Sequence, residues 1–394
     1  MRKILVEAGY TSNLNTNRVR KAEYGIPLKE FPEMLCAEVQ EVLRWKQDKY
    51  VPSRPKGGQI RAITAKRIEG EFCRLYGYCV NIEKLGNISN LRELVTEQNV
   101  GNFISWSLNN RNAKGLGLSI QLGGLSAALS QNPKFSDITS PWMPKLLESI
   151  PEDSGEETQR RKEEKYLPYS VLCDIAPAIR RERERIPENH RKAIALNVRD
   201  ELVILWLLTL PWRQRNIREC RVGGRNPNLL HGPLPRMASI TKPDWLLEAE
   251  EQNGPLEVWQ FRFSPSETKT GNDIYCVLPE RLIPLLEDYL NSHRPSLIGN
   301  NDPGTLFVSD RGKALTQATV RNIVSRLTLK HGGKIVTPHM FRDIFAYMWL
   351  ELAPEDYLTL SKILWHRNIQ TTIRIYGKRF NESTALARME RLLR

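Results

Sequence analysis

Six side chains in the second half of the sequence have the chemistry that phosphoryl transfer requires. They combine permanent cations with groups that can carry a proton, and they occur in the order Arg213, Lys269, His339, Arg342, His366 and Tyr376. Guanidinium groups bind phosphate oxygens bidentately and stay charged, while histidine changes its charge near neutral pH. Any basic protein of this length has many arginines and lysines, so the sequence around each position carries the argument.

Two of the arginines lie where helices are expected to begin. Arg213 follows an apolar helical stretch that Pro211 interrupts. In the segment TPHMFR, residues 337–342, the threonine suits an N-cap and the proline suits the first helical position. His339 and Arg342 are then three residues apart on one helix face, where a single phosphate could contact both.

The segment LWHRNIQTTIRIY, residues 364–376, is expected to end one helix near His366 and to begin another capped by Thr371 or Thr372. This chain contains, in order, an arginine, a lysine in a hairpin, an HxxR motif, an L-x-H motif, and two threonines before a tyrosine. This ordered set resembles the tyrosine recombinases, also called phage-type integrases. The resemblance covers residues 167–394.

The resemblance implies a role for each cation and histidine. Arg213 and Arg342 would clamp the non-bridging oxygens of the scissile phosphate. His339 and His366 would hydrogen-bond that phosphate or move protons. Arginines suit this role because they stay charged and bind bidentately, which compensates the extra negative charge of the transition state.

The resemblance also implies the leaving-group acid and the nucleophile. Lys269, on the hairpin loop, would protonate the leaving 5′ oxygen, and Tyr376 would attack to give a 3′-phosphotyrosyl intermediate. A free tyrosine has a pKa of about 10, so it needs neighbouring cations or a base to react at neutral pH. The phosphotyrosine conserves the bond energy, so no ATP site is required.

The sequence departs from the family pattern at three places. His366 and Tyr376 are ten residues apart, one more than the usual spacing in the family. Asp343 follows Arg342 where many members have histidine, and Asn216 stands where an acidic residue is common. These changes could shift pKa values without abolishing the chemistry.

Each residue taken alone has an ordinary structural alternative. A lysine at a hairpin tip, such as Lys269, is usually only solvated. His339 could be a surface histidine, and His366 could pack beside Trp365. Tyr376, which follows alternate isoleucines, could belong to the core. Six such coincidences in the family's order are improbable.

Composition and charge favour a polyanionic partner. The 394 residues contain 58 Lys and Arg against 45 Asp and Glu, a formal net charge of +13, and 40% hydrophobic residues exclude a disordered chain. Six cysteines without a CxxC pair, and a beginning without a signal-like apolar run, predict a cytoplasmic protein. The resemblance to the tyrosine recombinases implies association with DNA in a bacterial, phage or mobile-element setting. No zinc motif or GxxxxGK[ST] loop occurs, so no metal or cofactor is expected.

The predicted fold is mostly α with a small β-sheet, an α+β protein of two domains. A basic arm, residues 1–30, precedes a helical domain, 31–150, which fits the family's core-binding domain. A charged linker, 151–166, leads to the catalytic domain, 167–394, whose tail, 377–394, either packs on its own domain or docks on a neighbouring protomer. Residues 258–263 and 273–278 predict a hairpin, and the Gly/Pro-rich residues 223–236 predict a loop. The RRERER run, 180–185, could be a solvated helix face or a phosphate-contacting surface.

The resemblance implies double-stranded DNA recombination sites as partners, without a membrane. It further implies a homo-oligomer, with a dimer on each site and a tetramer in synapsis, and accessory DNA-bending or directionality proteins. Strand exchange would pass through a Holliday junction, with the two domains closing as a clamp around DNA. A type IB topoisomerase and a non-catalytic DNA-binding protein on a recombinase scaffold are the alternatives.

Overall fold

The chain divides into two compact units, Met1–Glu156 and Glu157–Arg394. The computed structural model describes residues 24–52, 54–152, 163–234, 242–268, 273–299 and 302–377, together with 160, 271, 386, 389 and 390. Most of the predicted basic arm, the greater part of the predicted linker, Lys269 and most of the predicted tail lie outside the described residues. Each unit has a hydrophobic core of its own.

The described part of the first unit is helical. Its α-helices are α1 Glu33–Gln47, α2 Ala62–Asn81, α3 Leu91–Leu94, α4 Glu97–Arg111, α5 Gly115–Ser130, α6 Ser136–Thr139 and α7 Trp142–Glu148, with a 3₁₀ turn at Leu28–Glu30. Leu35, Val39 and Val42 recur at helical spacing on α1 and are fully buried. The Asn90 and Thr96 side chains accept hydrogen bonds from backbone N–H groups at the starts of α3 and α4. Apolar periodicity therefore accounts for α1, and side-chain capping contributes at α3 and α4.

The second unit combines helices with one small sheet. Its helices are α8 Tyr169–Cys173, α9 Ile175–Arg183, α10 Arg191–Thr209, α11 Gln214–Arg218, α12 Asp244–Asn253, α13 Ile283–Asp288, α14 Gln317–Gly332, α15 Pro338–Leu352, α16 Tyr357–Ile363 and α17 Ile369–Tyr376. Its strands are β1 Leu229–Pro233, β2 Glu257–Phe263 and β3 Ile274–Val277. Short 3₁₀ turns lie at Glu280–Leu282 and Arg294–Ser296, and a π turn lies at Tyr289–His293.

The sheet is antiparallel in the order β1-β2-β3. The predicted hairpin forms β2 and β3, with Phe261 opposite Cys276. The prediction of a loop throughout residues 223–236 is wrong, because Leu229–Pro233 pairs with β2, with Leu229 opposite Phe261. A strand at the sheet edge tolerates glycine and proline because one side of its backbone needs no partner strand. The local composition therefore concealed a strand that the neighbouring β2 stabilises.

Helix α10 lies at the centre of this unit, and its residues 198–208 are all buried. Three of them are charged, and each has a partner. Arg199 and Arg326 both bind Asp200, while Arg180 and Arg183 from α9 bind Glu201, at 2.9 and 2.8 Å respectively. Two arginines of the RRERER run thus compensate a buried carboxylate. Among the described residues, none of the helices is long and apolar enough to cross a bilayer.

Candidate active site

Arg342 donates hydrogen bonds to the two loops that carry Arg213 and His366. It lies in the second turn of α15, and only 3% of its surface is exposed. Its Nη1 donates to the Pro211 carbonyl at 2.8 Å, and its Nη2 donates to the Leu364 carbonyl. Burial, together with the charge of Arg213, lowers the pKa of Arg342 to about 10. The guanidinium therefore remains charged at neutral pH.

Arg213 lies directly before α11 and is half-buried. Its Nη1 lies 3.5 Å from the carbonyl oxygen of Trp365, and the Trp212 and Trp365 rings meet edge to face with centroids 6.1 Å apart. Burial lowers the pKa of Arg213, and the nearby Tyr376 opposes that effect. Asn216, on α11, is buried, and its Nδ2 has no hydrogen-bond partner within the described part of the chain.

His366 lies between α16 and α17, next to both arginines. Its Nδ1 is 2.7 Å from the Thr372 hydroxyl oxygen. Burial, and then the charges of Arg342 and Arg213, lower its pKa to about 4, so the imidazole is neutral at pH 7. The prediction that Thr371 or Thr372 caps α17 is wrong, because the Asn368 side chain accepts the Gln370 N–H at 2.9 Å. Thr372 is instead fully buried against the histidine.

Tyr376 is the last residue of α17, and 2% of its surface is exposed. Its hydroxyl donates to Oδ1 of Asp343 at 2.9 Å, and its ring meets Tyr347 edge to face at 5.7 Å between centroids. It packs with Leu360 and Leu364. Burial and then the Asp343 charge raise its pKa, while Arg342 lowers it. The hydroxyl thus lies between a carboxylate and a guanidinium.

The structure brings four of the six predicted residues into one cluster, namely Arg213, Arg342, His366 and Tyr376. His339 lies one turn from Arg342 on α15, as the motif predicted, but its side chain is exposed. Thr337 stands at the N-cap as predicted, although its side chain makes no capping hydrogen bond. The prediction for Lys269 falls outside the described residues.

Sequence reasoning did not anticipate several of the groups that position the cluster. The carbonyls of Pro211, Leu364 and Trp365 bind the two arginines, and backbone groups carry no residue-type signal. Trp365 adopts a left-handed conformation, with φ of 50°, which turns the chain between α16 and His366. Asp343 departs from the family pattern, but its contact with Tyr376 spans 33 positions and has no local signature.

A second polar cluster fixes the start of the β2–β3 loop. The Glu267 carboxylate accepts the Ser264 N–H at 2.8 Å, the Asn228 amide at 3.0 Å and a guanidinium N–H of Arg221 at 2.5 Å. Burial alone would raise its pKa, but these donors outweigh burial and lower the pKa to about 2. The side chain is 22% exposed. The loop that leads towards Lys269 therefore begins at a paired carboxylate.

Glu267→Gln is expected to destabilise the protein at neutral pH and much less in acid. The folded state holds the carboxylate ionised, so its stabilisation is present above the usual pKa of 4.5 and is lost as the pH falls towards 2. The expected loss at pH 7 is about 2–3 kcal/mol. Urea unfolding of both proteins at pH 7, 4 and 2 measures it, with Glu248→Gln on the exposed face of α12 as the control. A difference that stayed constant with pH would contradict this account.

The chain resembles known DNA recombinases in both sequence and fold. Residues 250–382 match the phage integrase family. Tyrosine recombinase XerD of Lacticaseibacillus casei is 34% identical over 101 residues, which cover 24% of this chain and 34% of the relative. XerD of Staphylococcus epidermidis strain ATCC 12228 is 32% identical over the same length and coverage. The chain therefore spans about a third of the length of these curated relatives.

The likeness in structure extends over nearly the whole chain. The structure of XerH site-specific recombinase bound to palindromic difH substrate, in a post-cleavage complex, aligns with a TM-score of 0.51 at 15% identity. The alignment covers 92% of this chain and 99% of XerH. At this identity the likeness concerns the fold, and it confirms the predicted class, mostly α with a small antiparallel sheet.

Proposed function

We propose that this chain, whose residues 250–382 match the phage integrase family, is a site-specific DNA recombinase that cleaves and rejoins strands through Tyr376. One observation carries the proposal. A tyrosine hydroxyl, two guanidinium groups and a neutral histidine meet in one cluster, in which Tyr376 and Arg342 are buried and Arg213 and His366 are half-buried, although they come from segments up to 163 residues apart in the sequence. This combination suits attack of a phenol oxygen on a phosphodiester.

The proposed reaction exchanges one phosphodiester bond for another. The Tyr376 oxygen forms a bond to phosphorus, the bond from phosphorus to the 5′ oxygen breaks, and a 3′-phosphotyrosine results. Arg213 and Arg342 would hold the non-bridging oxygens, whose charge grows in the transition state. Lys269 would give a proton to the 5′ oxygen. Attack by a 5′ hydroxyl of the partner strand reverses the step, and two such exchanges make and resolve a Holliday junction.

His366 would donate a hydrogen bond to the bound phosphate. Its ring is neutral at pH 7, so one nitrogen carries a hydrogen and the other accepts one. If the Thr372 hydroxyl donates to Nδ1, the hydrogen of the imidazole lies on Nε2. Thr372 would then fix the tautomer that serves the phosphate. His339, exposed one turn before Arg342, would reach the phosphate only from the surface side.

Double-stranded DNA is the proposed partner. The net charge of +13 favours a polyanion, and phosphate contacts release counterions on binding. Three further points stay predictions. The protein would assemble as a dimer on each site and a tetramer in synapsis, and accessory DNA-bending or directionality proteins would assist it. Its setting would be the cytoplasm, in a bacterium, phage or mobile element. It also stays a prediction that the tail docks on a neighbouring protomer and that the helical domain binds DNA. The same holds for the linker at residues 151–166 as the boundary between the two domains.

A plasmid assay tests recombination against the alternatives. The recombination site is first selected, by its binding to the protein, from the DNA that flanks the gene. The purified protein is then incubated with supercoiled plasmids that carry two copies, one copy or no copy of this site. We expect recombinant products from the two-copy plasmid only, and no relaxation of the plasmid without a site. Equal relaxation of all three would favour a type IB topoisomerase. Tight site binding without strand transfer would favour a non-catalytic scaffold.

A further inference from the structure

Asp343 is the group that contacts the hydroxyl of the proposed nucleophile. It directly follows Arg342 on α15, and 7% of its surface is exposed. Its Oδ1 accepts the Tyr376 hydroxyl hydrogen at 2.9 Å, which joins α15 to the end of α17. Both partners are buried, so water competes little for this hydrogen bond. The proton that must leave the tyrosine already points at a carboxylate.

The two histidines are less suitable proton acceptors. His366 lies with Nδ1 2.7 Å from the Thr372 hydroxyl oxygen, whereas the Tyr376 hydroxyl donates to Asp343. His339 is exposed in the first turn of α15. Asp343 needs no movement of either helix to accept the proton from Tyr376.

The chemistry of a buried tyrosine requires such an acceptor. Burial, and then the Asp343 charge, raise the pKa of Tyr376, so a free phenolate is scarce at neutral pH. The proton must therefore leave while the oxygen attacks, and a positioned base typically accelerates such a step about 10²–10⁴-fold. Arg342 on the same hydroxyl stabilises the negative charge that develops on the oxygen.

We propose that Asp343 is a catalytic residue, the general base that takes the proton of Tyr376 during cleavage and returns it during rejoining. This inference rests on the proposed function. As the bond from the Tyr376 oxygen to phosphorus forms, the proton moves to Oδ1 of Asp343, and the bond to the 5′ oxygen breaks. A separate donor protonates the 5′ oxygen. In rejoining, the protonated Asp343 gives its proton to the departing tyrosine oxygen, so one carboxyl group serves both directions.

The test measures how fast the covalent adduct forms and how that rate depends on pH. Wild type and Asp343→Asn are mixed in excess with a nicked duplex of the selected site, and adduct formation is followed in a single turnover from pH 6.5 to 8.5, below the pKa of Arg342. Asparagine preserves the shape and the hydrogen bond but is not a base. We expect a rate about 10²–10³-fold lower at pH 7. The logarithm of that rate should rise with pH, because hydroxide must then remove the proton, whereas the wild-type rate should change little above pH 7.

In the described part of the chain, four charged or titratable groups beside this pair bear on the pH profile. They are Arg342 and Tyr347 from α15, Arg213 from the loop before α11, and His366 from the loop before α17. The arginines stay charged and His366 stays neutral through the range tested. Asp310→Asn, in an exposed turn, is the matched control and should retain the wild-type rate and profile.

Two results would overturn the role of Asp343. A wild-type rate for Asp343→Asn would show that the carboxylate is dispensable, and a uniform fall at every pH would make Asp343 a positioning residue only. Asp343→Glu keeps a base, so it should restore a shallow pH profile even if Asp343→Asn folds poorly. If wild type formed no adduct, or Tyr376→Phe still did, the proposed function itself would fail, independently of Asp343.

Discussion

Arg342→Lys is expected to slow formation of the covalent adduct by about 10²–10³-fold while the protein still binds DNA. Lysine keeps the positive charge but presents a single ammonium group in place of the planar fork that matches two phosphate oxygens. A guanidinium has five N–H donors, and two of its nitrogens bind the Pro211 and Leu364 carbonyls. The remaining donors would serve the phosphate that the proposed function places beside Tyr376. Single-turnover rates on a nicked duplex measure the effect.

A second arginine separates the catalytic effect from the structural one. Arg294 is also buried, at 6% exposure, and it donates to the Asp302 carboxylate at 2.8 Å and to the Thr305 carbonyl at 2.7 Å. Arg294→Lys should therefore lower stability through similar lost bonds, about 1–3 kcal/mol for each group left unpaired. It should leave the rate of adduct formation of the folded protein unchanged. If Arg342→Lys cleaved as fast as Arg294→Lys, Arg342 would not stabilise the transition state.

Stability and the proposed chemistry would be coupled at this site, because Arg342 would serve both. Its two carbonyl partners belong to the loops that carry Arg213 and His366, so the residue that would bind phosphate also sets the positions of its neighbours. Arg342→Ala would remove the charge and leave both carbonyls unpaired, and its lost activity would have two causes. The lysine variant is the more informative of the two.

Local patterns predicted the parts of the fold that local forces determine. The apolar periods of α1 and α10, the helix that begins at Pro338 and the β2–β3 hairpin all follow from residue types within a few positions. The motif spacing also predicted that His339 and Arg342 share α15. These features need no knowledge of distant segments.

Features that depend on distant segments were missed or misplaced. β1 is a strand because β2 lies beside it, although its own LLHGP sequence is typical of a loop. Thr372 binds His366 instead of capping α17, since Asn368 already supplies that cap. The burial of Tyr376 and its contact with Asp343 arise where α15 and α17 pack, and the sequence alone does not record that packing.

The identity of the nucleophile is the central claim, and covalent trapping tests it most directly. Tyr376→Phe removes the oxygen that would bond to phosphorus and should abolish adduct formation. Tyr347→Phe changes the aromatic neighbour of Tyr376, at 5.7 Å between ring centroids, without touching that oxygen, so it should still react. Trypsin cleaves after Arg374 and Lys378, so the wild-type adduct should carry DNA on the peptide of residues 375–378.

The measurement uses nicked duplexes of the selected site and a denaturing gel that retains only covalent complexes. Wild type and Tyr347→Phe should give an adduct that survives denaturant, with DNA on the Tyr376 peptide, and Tyr376→Phe should give none. An adduct from Tyr376→Phe would place the nucleophile elsewhere, with Tyr347 and Tyr357 the next candidates, and would contradict the account.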